Sequence, residues 1–455
     1  MIYSSQVKRR SNDACRGIIF PWRLFLFFVS RNEKTLSQRA MGLIDAHAFM
    51  SPVCIFAEKL IGGGFTMLKK AKLKLVSLVL GGMLVTGLLA GCGGTASKDI
   101  KIGVVYELTG NTASFGTAAA NGAKLAFKEI NANGGVLGKQ IQIAVADNKG
   151  EPSESSNAMT KVISQDKVIA VTGFTTSSNG IAGSAVAEAN KIPFVAAATT
   201  NPKVTIDENT GKVKPYTFRV CFIDPFQGTV GANFVLNTLK AKNAVVMIDN
   251  SSDYSKGLAK FFTEAFTKGG GKVMSEIAYL QKDQDFKTIL TSIKASNPDV
   301  IYLPGYYEEA GKIIKQAREL GINAPFVGGD GWDSPKLAEI GGADALNNTY
   351  FTNHYSVEDN SPKSKAFLDA FKKEYGEVPD AMAVLGYDAA YTLVDAIKRA
   401  NSTESDKIRE ALANTKDFQG VTGALTLNET HDAVKSAVII EMKNGKQVYR
   451  ETVKP

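Results

Sequence analysis

Residues 168–202 read VIAVTGFTTSSNGIAGSAVAEANKIPFVAAATTNP, and this one segment predicts two strands, each followed by a turn, with a helix between them. The predicted elements are strand 168–172, helix 181–189 and strand 193–197. Gly173 ends the first strand, and hydroxyl side chains are concentrated in the turn after each strand. In a parallel α/β sheet both turns emerge at the carboxyl ends of strands, where such sheets bind ligands.

The first turn places hydroxyl groups where the helix should begin. Thr175, Thr176, Ser177 and Ser178 directly precede the apolar part of the predicted helix. A helix N-terminus offers unpaired N–H groups and a positive dipole end, and Ser or Thr side chains add further donors. This combination suits a carboxylate or a phosphate. Ordinary helix caps without a ligand would explain the same residues, so the rest of the chain has to decide between the two.

The charge of the chain is unevenly distributed. Of 53 basic and 45 acidic residues, 13 and 4 lie in residues 1–91, which leaves 40 and 41 from Cys92 onward. This nearly neutral body carries no electrostatic footprint for nucleic acid. Cys221 is the one cysteine after Cys92, so this body has neither an internal disulfide nor a cysteine cluster with metal-ligand spacing.

The segment that begins at Met67 has the organisation of a secretory signal. Four lysines precede the apolar run Leu75–Ala90, which ends in Leu-Ala-Gly-Cys at Cys92. A basic head, an apolar stretch of moderate length and small residues before a cleavage site are typical of such signals. The last four residues resemble the bacterial lipobox, in which the cysteine becomes a lipidated N-terminus. An uncleaved signal anchor is the alternative.

These features divide the N-terminal region into three predicted parts. Residues 1–66 form a non-native or disordered extension, because a signal does not normally begin so far into a chain and translation would start at Met67. Residues 67–91 are the signal peptide, and residues 92–99 are a tether. We therefore expect an extracytoplasmic protein of the cell envelope that is anchored to a membrane by lipid at Cys92.

From Ile100 onward, short apolar strands alternate with helices of ten to fifteen residues, which favours parallel sheets covered by helices. A polar loop near residue 210 interrupts the rhythm and a second series follows. The chain closes with a hairpin turned at Asn444–Gly445. The predicted fold is α/β, with two doubly wound parallel-sheet lobes joined by a multi-strand hinge. Lobe I is assigned residues 100–218 and 354–430, and lobe II is assigned residues 219–353 and 431–455.

Ligand-type residues recur just after the predicted strands of the second series. Three such segments are 251–254, 305–307 and 330–332, with the sequences SSDY, GYY and DGW. Hydroxyls and helix N–H groups would take an anion, a carboxylate would take a cation, and aromatic walls would enclose an apolar group. An amino acid with an apolar side chain satisfies all three. Taken singly, Asp330 could be a turn or helix cap and the tyrosines could be packing residues.

Four motifs resemble the branched-chain amino-acid-binding proteins, the receptors of ATP-driven (ABC) importers with a type I periplasmic-binding-protein fold. They are residues 134–138 (GGVLG), 197–202 (AATTNP), 302–307 (YLPGYY) and 328–331 (GGDG). The resemblance extends from about Ile100 to Val453. It implies hinge closure on an amino acid, most simply leucine, isoleucine or valine, and delivery to a membrane permease by a monomer without cofactor, metal or catalytic residues.

The resemblance also implies roles for individual residues. Ser177 and Thr200 would hold the ligand's α-carboxylate, and the carbonyl of Ala198 with the Thr200 hydroxyl would receive the α-ammonium. Asp330, one methylene shorter than the Glu common at its position, would complete the ammonium site from lobe II.

Aromatic residues would line the rest of the site. Tyr254 and Tyr306 match aromatic residues of the second lobe, and Phe115 stands where an aromatic, often a Tyr, lines the first lobe. Trp332 adds bulk near the same place.

Other functions match the sequence less well. Gly135–Gln140 precedes a strand, whereas a phosphate loop follows one, and no nucleophile elbow occurs. A Ser/His/Asp triad would need His354 or His431, and neither lies at a predicted strand end. A repressor of similar fold would need a DNA-binding segment where this chain has a signal. The remaining alternatives are a receptor of the same fold for an amide, a urea-like compound or an aromatic acid, and, more distantly, an envelope enzyme.

Overall fold

The structure, a computed structural model, describes residues 99–455. The predicted extension, signal peptide and lipidation site Cys92 lie outside these residues. Among the helices that are described, none combines the length and the apolar character needed to cross a bilayer.

Fifteen strands and eleven α-helices are described, and they alternate along most of the chain. The strands are β1 (Ile100–Tyr106), β2 (Ile141–Asp147), β3 (Ala170–Gly173), β4 (Phe194–Ala196), β5 (Thr217–Arg219), β6 (Asn243–Asp249), β7 (Lys272–Tyr279), β8 (Val300–Tyr302), β9 (Phe326–Gly328), β10 (Thr349–Asn353), β11 (Phe418–Gly420), β12 (Gly423–Leu427), β13 (Ala433–Val434), β14 (Ala437–Lys443) and β15 (Lys446–Val453). The helices are α1 (Ala113–Ala132), α2 (Pro152–Ser164), α3 (Ser177–Asn190), α4 (Asp224–Asn233), α5 (Asp253–Lys268), α6 (Lys287–Ser296), α7 (Tyr307–Glu319), α8 (Pro335–Gly341), α9 (Pro362–Tyr375), α10 (Ala381–Ala400) and α11 (Ser405–Ala413).

The first sheet contains five parallel strands in the order β2-β1-β3-β4-β5. Its inner strands β3 and β4 are buried along their whole length, as expected where helices cover both faces of a parallel sheet. Helix α10 packs along α1 at very close range, because a Cβ on Gly122 would lie 1.9 Å from the carbonyl oxygen of Ala383. We call this sheet with its helices lobe I.

The second sheet contains seven strands in the order β15-β14-β10-β9-β8-β6-β7. Strands β6 to β10 are parallel, whereas β14 runs antiparallel to both β10 and β15. The predicted hairpin turn is confirmed, since Asn444 and Gly445 have φ values of 51° and 72°. This sheet with its helices is lobe II. A small third sheet joins β11, β12 and β13.

The α/β class and the two doubly wound lobes are confirmed, with the antiparallel hairpin as an addition to the second sheet. The chain passes between the two lobes three times, after β5, after β10 and again before β14, since helix α10 packs on α1 of lobe I. The predicted lobe boundaries remain a prediction.

Helix α3 begins at Ser177, four residues before the predicted start at Ile181. Strands β5 and β10 were not predicted, and each is completed by neighbours distant in sequence.

Candidate functional site

Ser177 is the first residue of helix α3 and is buried. Its Oγ accepts a hydrogen bond of 3.2 Å from the backbone N–H of Asn201, so the turn after β3 is joined to the turn after β4. Since the hydroxyl oxygen already accepts, its proton is what Ser177 can still offer to an acceptor such as a carboxylate.

The turn after β4 is held by a buried arginine. Arg219, on β5, donates to the carbonyl oxygens of Thr199 at 2.6 Å and Asn201 at 2.9 Å. Asp432 balances the charge of Arg219 at 2.7 Å, and both side chains are nearly inaccessible. Thr200 is therefore fixed between two anchored carbonyls, and Ala198 lies buried at the start of the same turn. This assigns Arg219 the role of positioning Thr200.

Asp330 follows β9 in a 3₁₀ turn and is 2% exposed. Its Oδ1 accepts from Gln227 Nε2 at 2.8 Å and from the Tyr254 hydroxyl at 2.9 Å. Its Oδ2 lies 3.0 Å from His354 Nε2. The carboxylate predicted to hold an ammonium group thus already accepts from the protein on both oxygens.

His354 is a site residue that the sequence analysis missed. It directly follows β10, so the expectation that it lies away from a strand end is wrong. Its ring stacks on Phe222 with centroids 3.6 Å apart, and burial lowers its pKa despite the hydrogen bond to Asp330. The signal was weak, because TYFTN at 349–353 is a short segment that pairs only with strands remote in sequence.

Asp224, the first residue of α4, is the second residue that was missed. It is fully buried, and within residues 99–455 neither carboxylate oxygen has a hydrogen-bond partner. Its backbone N–H donates to the Thr200 carbonyl at 3.0 Å, and the Thr200 hydroxyl lies beside the carboxyl but outside hydrogen-bonding geometry. Burial, with a contribution from the nearby Asp330, raises the pKa of Asp224 to about 8, although the Thr200 hydroxyl beside it acts in the opposite direction. The sequence signal was an Asp-Pro pair, which also marks an ordinary helix start.

The predicted aromatic residues surround this region, with one exception. Tyr254 and Tyr306 stack with centroids 5.2 Å apart, and Phe115 meets Tyr306 edge-on at 5.9 Å. Burial raises the pKa of both tyrosines well above the usual value. Trp332 instead turns into the core of lobe II, where its Nε1 donates to the carbonyl of Leu303 and its ring lies against Phe351.

The predicted residues form two sets, one in each lobe, and direct contacts link the members of each set. Ser177 contacts the turn that carries Thr200, the Thr200 carbonyl binds Asp224, and Tyr254 connects Asp330 to Tyr306. Thr200 Oγ1, with a donor proton, and the acceptor oxygens of Asp224 are buried without partners in the described chain. Complementary unpaired groups of this kind suit a ligand that carries both a carboxylate and an ammonium.

Polar contacts between the lobes form a seam beside this cluster. Ser178 and Asn201 of lobe I bond Asp253 at 2.9 Å and 2.8 Å. The Asn111 side chain donates to Glu309 at 2.9 Å, and its carbonyl accepts from the Tyr307 hydroxyl at 2.7 Å. We call these six residues the seam. They hold the lobes in a closed arrangement.

A cavity of about 450 Å³ opens between the lobes at the seam. Thr176 and Asn179 of lobe I, and Ser252 and Tyr306 of lobe II, contribute to its lining. Its volume lies within the usual range for small-molecule sites. No cluster of His, Cys, Asp and Glu suited to a metal occurs in the part of the chain that the structure describes.

Comparison with known proteins places this geometry in a family. The family model for periplasmic binding proteins matches residues 99–447. The Leu/Ile/Val-binding protein BraC3 of Rhizobium johnstonii is 34% identical over 78% of this chain and 95% of its own length.

Two solved structures are also similar. The leucine-binding protein LivK of Thermotoga maritima is 39% identical, with a TM-score of 0.74, over 78% of this chain and 99% of its own. LivJ of Streptococcus pneumoniae, solved in complex with isoleucine, is 40% identical, with a TM-score of 0.74, over 79% and 100%.

Proposed function

Because this chain belongs to the periplasmic-binding-protein family, we propose that it captures a branched-chain amino acid between its lobes and delivers it to an ABC-type permease. The proposal depends chiefly on one observation. The Thr200 hydroxyl is a buried donor, the Asp224 carboxylate oxygens beside it are buried acceptors, and none of them has a hydrogen-bond partner in the described chain. The ligand carboxylate takes the hydroxyls of Ser177 and Thr200. The ammonium takes Asp224, with Asp330 adding negative charge beside it.

The chain acts as a binder that closes on its ligand. In an open state the ligand docks on lobe I, and closure then brings Tyr254 and Tyr306 over it. Only contacts that exist in the closed state favour closure, and these include the seam. Lipid at Cys92 would keep the receptor beside its permease, on the outer side of the membrane, and the binder works as a monomer without a catalytic step.

A thermal-shift screen tests the proposed ligand class. Leucine, isoleucine and valine should raise the melting temperature of the purified protein, because a ligand that binds only the folded state stabilises it. D-leucine is the matched control, since its side chain points in a different direction when its ammonium and carboxylate occupy the same positions. A shift with benzoate or urea and none with any amino acid would favour the alternative solutes and contradict the proposal.

The hydrogen bonds of the seam are expected to contribute measurably to the affinity for leucine. Ser178→Ala removes two interlobe hydrogen bonds, one donated to the Asp253 carboxylate and one accepted from the Asp253 backbone N–H. It should raise the Kd for leucine at least about fivefold, since each such bond contributes about 0.5–1.5 kcal/mol. Titration calorimetry would measure the change. Ser156→Ala, which alters a serine bonded only within its own helix α2, should leave Kd unchanged. An equal effect of both substitutions would contradict a role of the seam in closure.

A further inference from the structure

Glu107 directly follows β1, and its fully buried carboxylate lies against the first turn of helix α3. Thr175 donates to it through its backbone N–H at 3.0 Å and its hydroxyl at 2.7 Å. The Thr176 hydroxyl donates at 3.1 Å, and Asn179 Nδ2 donates at 3.0 Å. A carboxylate of the protein itself therefore occupies the positive end of this helix.

These hydrogen bonds fix the polarity of the groups around Glu107. A hydroxyl has one proton, and the protons of Thr175 and Thr176 are both directed to the carboxylate. Towards any other group, Thr176 can therefore present only lone pairs. At this point of the wall the Thr176 hydroxyl accepts hydrogen bonds and has a buried negative charge directly behind it.

This wall faces the cavity between the lobes. Thr176 and Asn179 line the cavity from lobe I, and Tyr306 lines it from lobe II. Tyr306 also stacks on Tyr254 in the predicted ligand site, so the cavity and that site share a wall. A ligand side chain that extends past Tyr306 meets the surface that Glu107 controls.

We propose that Glu107 is a specificity-determining residue, which excludes anionic side chains from the cavity and admits apolar or hydrogen-bond-donating ones. This inference rests on the proposed amino-acid function and deepens it. A second carboxylate against Thr176 would face a like charge and the lone pairs of the hydroxyl. Lys149 and Lys282 also line the cavity, but each is paired with a glutamate, Glu154 and Glu151. An amide at the same place could donate to Thr176, and an alkyl group would meet no charge penalty.

Leucine, asparagine and aspartate test the proposal, because their side chains branch identically and differ only in polarity and charge. For the full protein, titration calorimetry should show asparagine binding at least about ten times more tightly than aspartate. Glu107→Gln should raise the affinity for aspartate at least about tenfold, and should change the Kd for leucine less than about threefold, because the glutamine can still accept from Thr175.

Glu188→Gln is the matched control. Glu188 also accepts from a threonine hydroxyl and a backbone N–H, those of Thr217 and Tyr216, but it does not line the cavity. It should leave the affinity for aspartate unchanged. Unchanged aspartate affinity in a folded Glu107→Gln protein that still binds leucine would overturn the proposal.

Wild-type protein gives a second, independent result. Equal affinities for asparagine and aspartate, or no measurable binding of either, would overturn the inference even if the Glu107 variant failed to fold. Failure of the proposed function is distinguishable, since wild-type protein would then bind no leucine.

Discussion

Replacing Asp330 with alanine is expected to lower the free energy of unfolding by about 3–5 kcal/mol and to weaken leucine binding at least about tenfold. The loss of stability follows because Gln227, Tyr254 and His354 would each lose the acceptor that they share. The loss of affinity follows because one of the two carboxylates near the ligand's ammonium would be gone. Denaturant unfolding and titration calorimetry measure the two effects separately.

Two controls separate the effect of charge from that of hydrogen bonding. Asp330→Asn keeps an oxygen for Gln227 and Tyr254, so it should cost less than about 2 kcal/mol in stability while still weakening leucine binding. Asp369→Ala removes an exposed carboxylate on α9 and should change neither quantity. Leucine affinity within threefold of wild type in Asp330→Ala would remove Asp330 from the ligand site.

Replacing Asp224 with asparagine is expected to weaken leucine binding roughly ten- to hundredfold near pH 8, since a hydrogen bond to a charged group contributes about 1.5–3 kcal/mol. Asparagine resembles the neutral carboxyl that burial favours in the ligand-free protein. The free energy of unfolding of the Asp224→Asn protein at neutral pH should therefore hardly differ from that of the wild type. The carboxylate oxygens of Asp224 have no hydrogen-bond partner within residues 99–455. Its charged neighbours are Asp330 and Arg219, and the Thr200 hydroxyl lies beside it. Titration calorimetry at that pH measures the loss.

The pH dependence of the same residue follows from its pKa, which burial raises from 3.8 to about 8. Between these values the folded, ligand-free protein binds more protons than the unfolded chain at this site. Its contribution to stability is therefore fully present below pH 3.8 and is lost as the pH rises through about 8. A bound ammonium favours the charged carboxylate, so leucine binding should release a proton and strengthen as the pH rises towards about 8.

Calorimetry in buffers of different ionisation enthalpy measures this proton release directly. The observed binding enthalpy of the wild-type protein should depend on the buffer near neutral pH, and that of Asp224→Asn should depend on it much less. Buffer-independent enthalpy in the wild-type protein would contradict ionisation of Asp224 on binding.

The order of strands and helices could largely be predicted, because it depends on local patterns. The turn at Asn444–Gly445 and the alternation of β and α segments are encoded within short stretches. Strand β10 is not encoded in this way, since its place depends on pairing with β9 and β14.

The residues of the candidate site also differ in whether a local sequence pattern could predict them. Ser177, Thr200 and Asp330 follow strands and could be predicted, because strand ends collect in a parallel sheet. The roles of Asp224, His354 and Glu107 depend on partners that are remote in sequence, such as Thr200 and Asp330. Trp332 follows a strand as well, yet its ring faces the core, since position after a strand does not fix the direction of a side chain.

The seam has a consequence for unloading. In each of its hydrogen bonds a polar side chain donates either to another side chain or to a backbone carbonyl, and water can replace each bond at a net cost of only about 1 kcal/mol. We therefore expect that a transporter bound to both lobes needs little free energy to separate them and release the ligand. A weak seam would let the same receptor molecule open and bind ligand again.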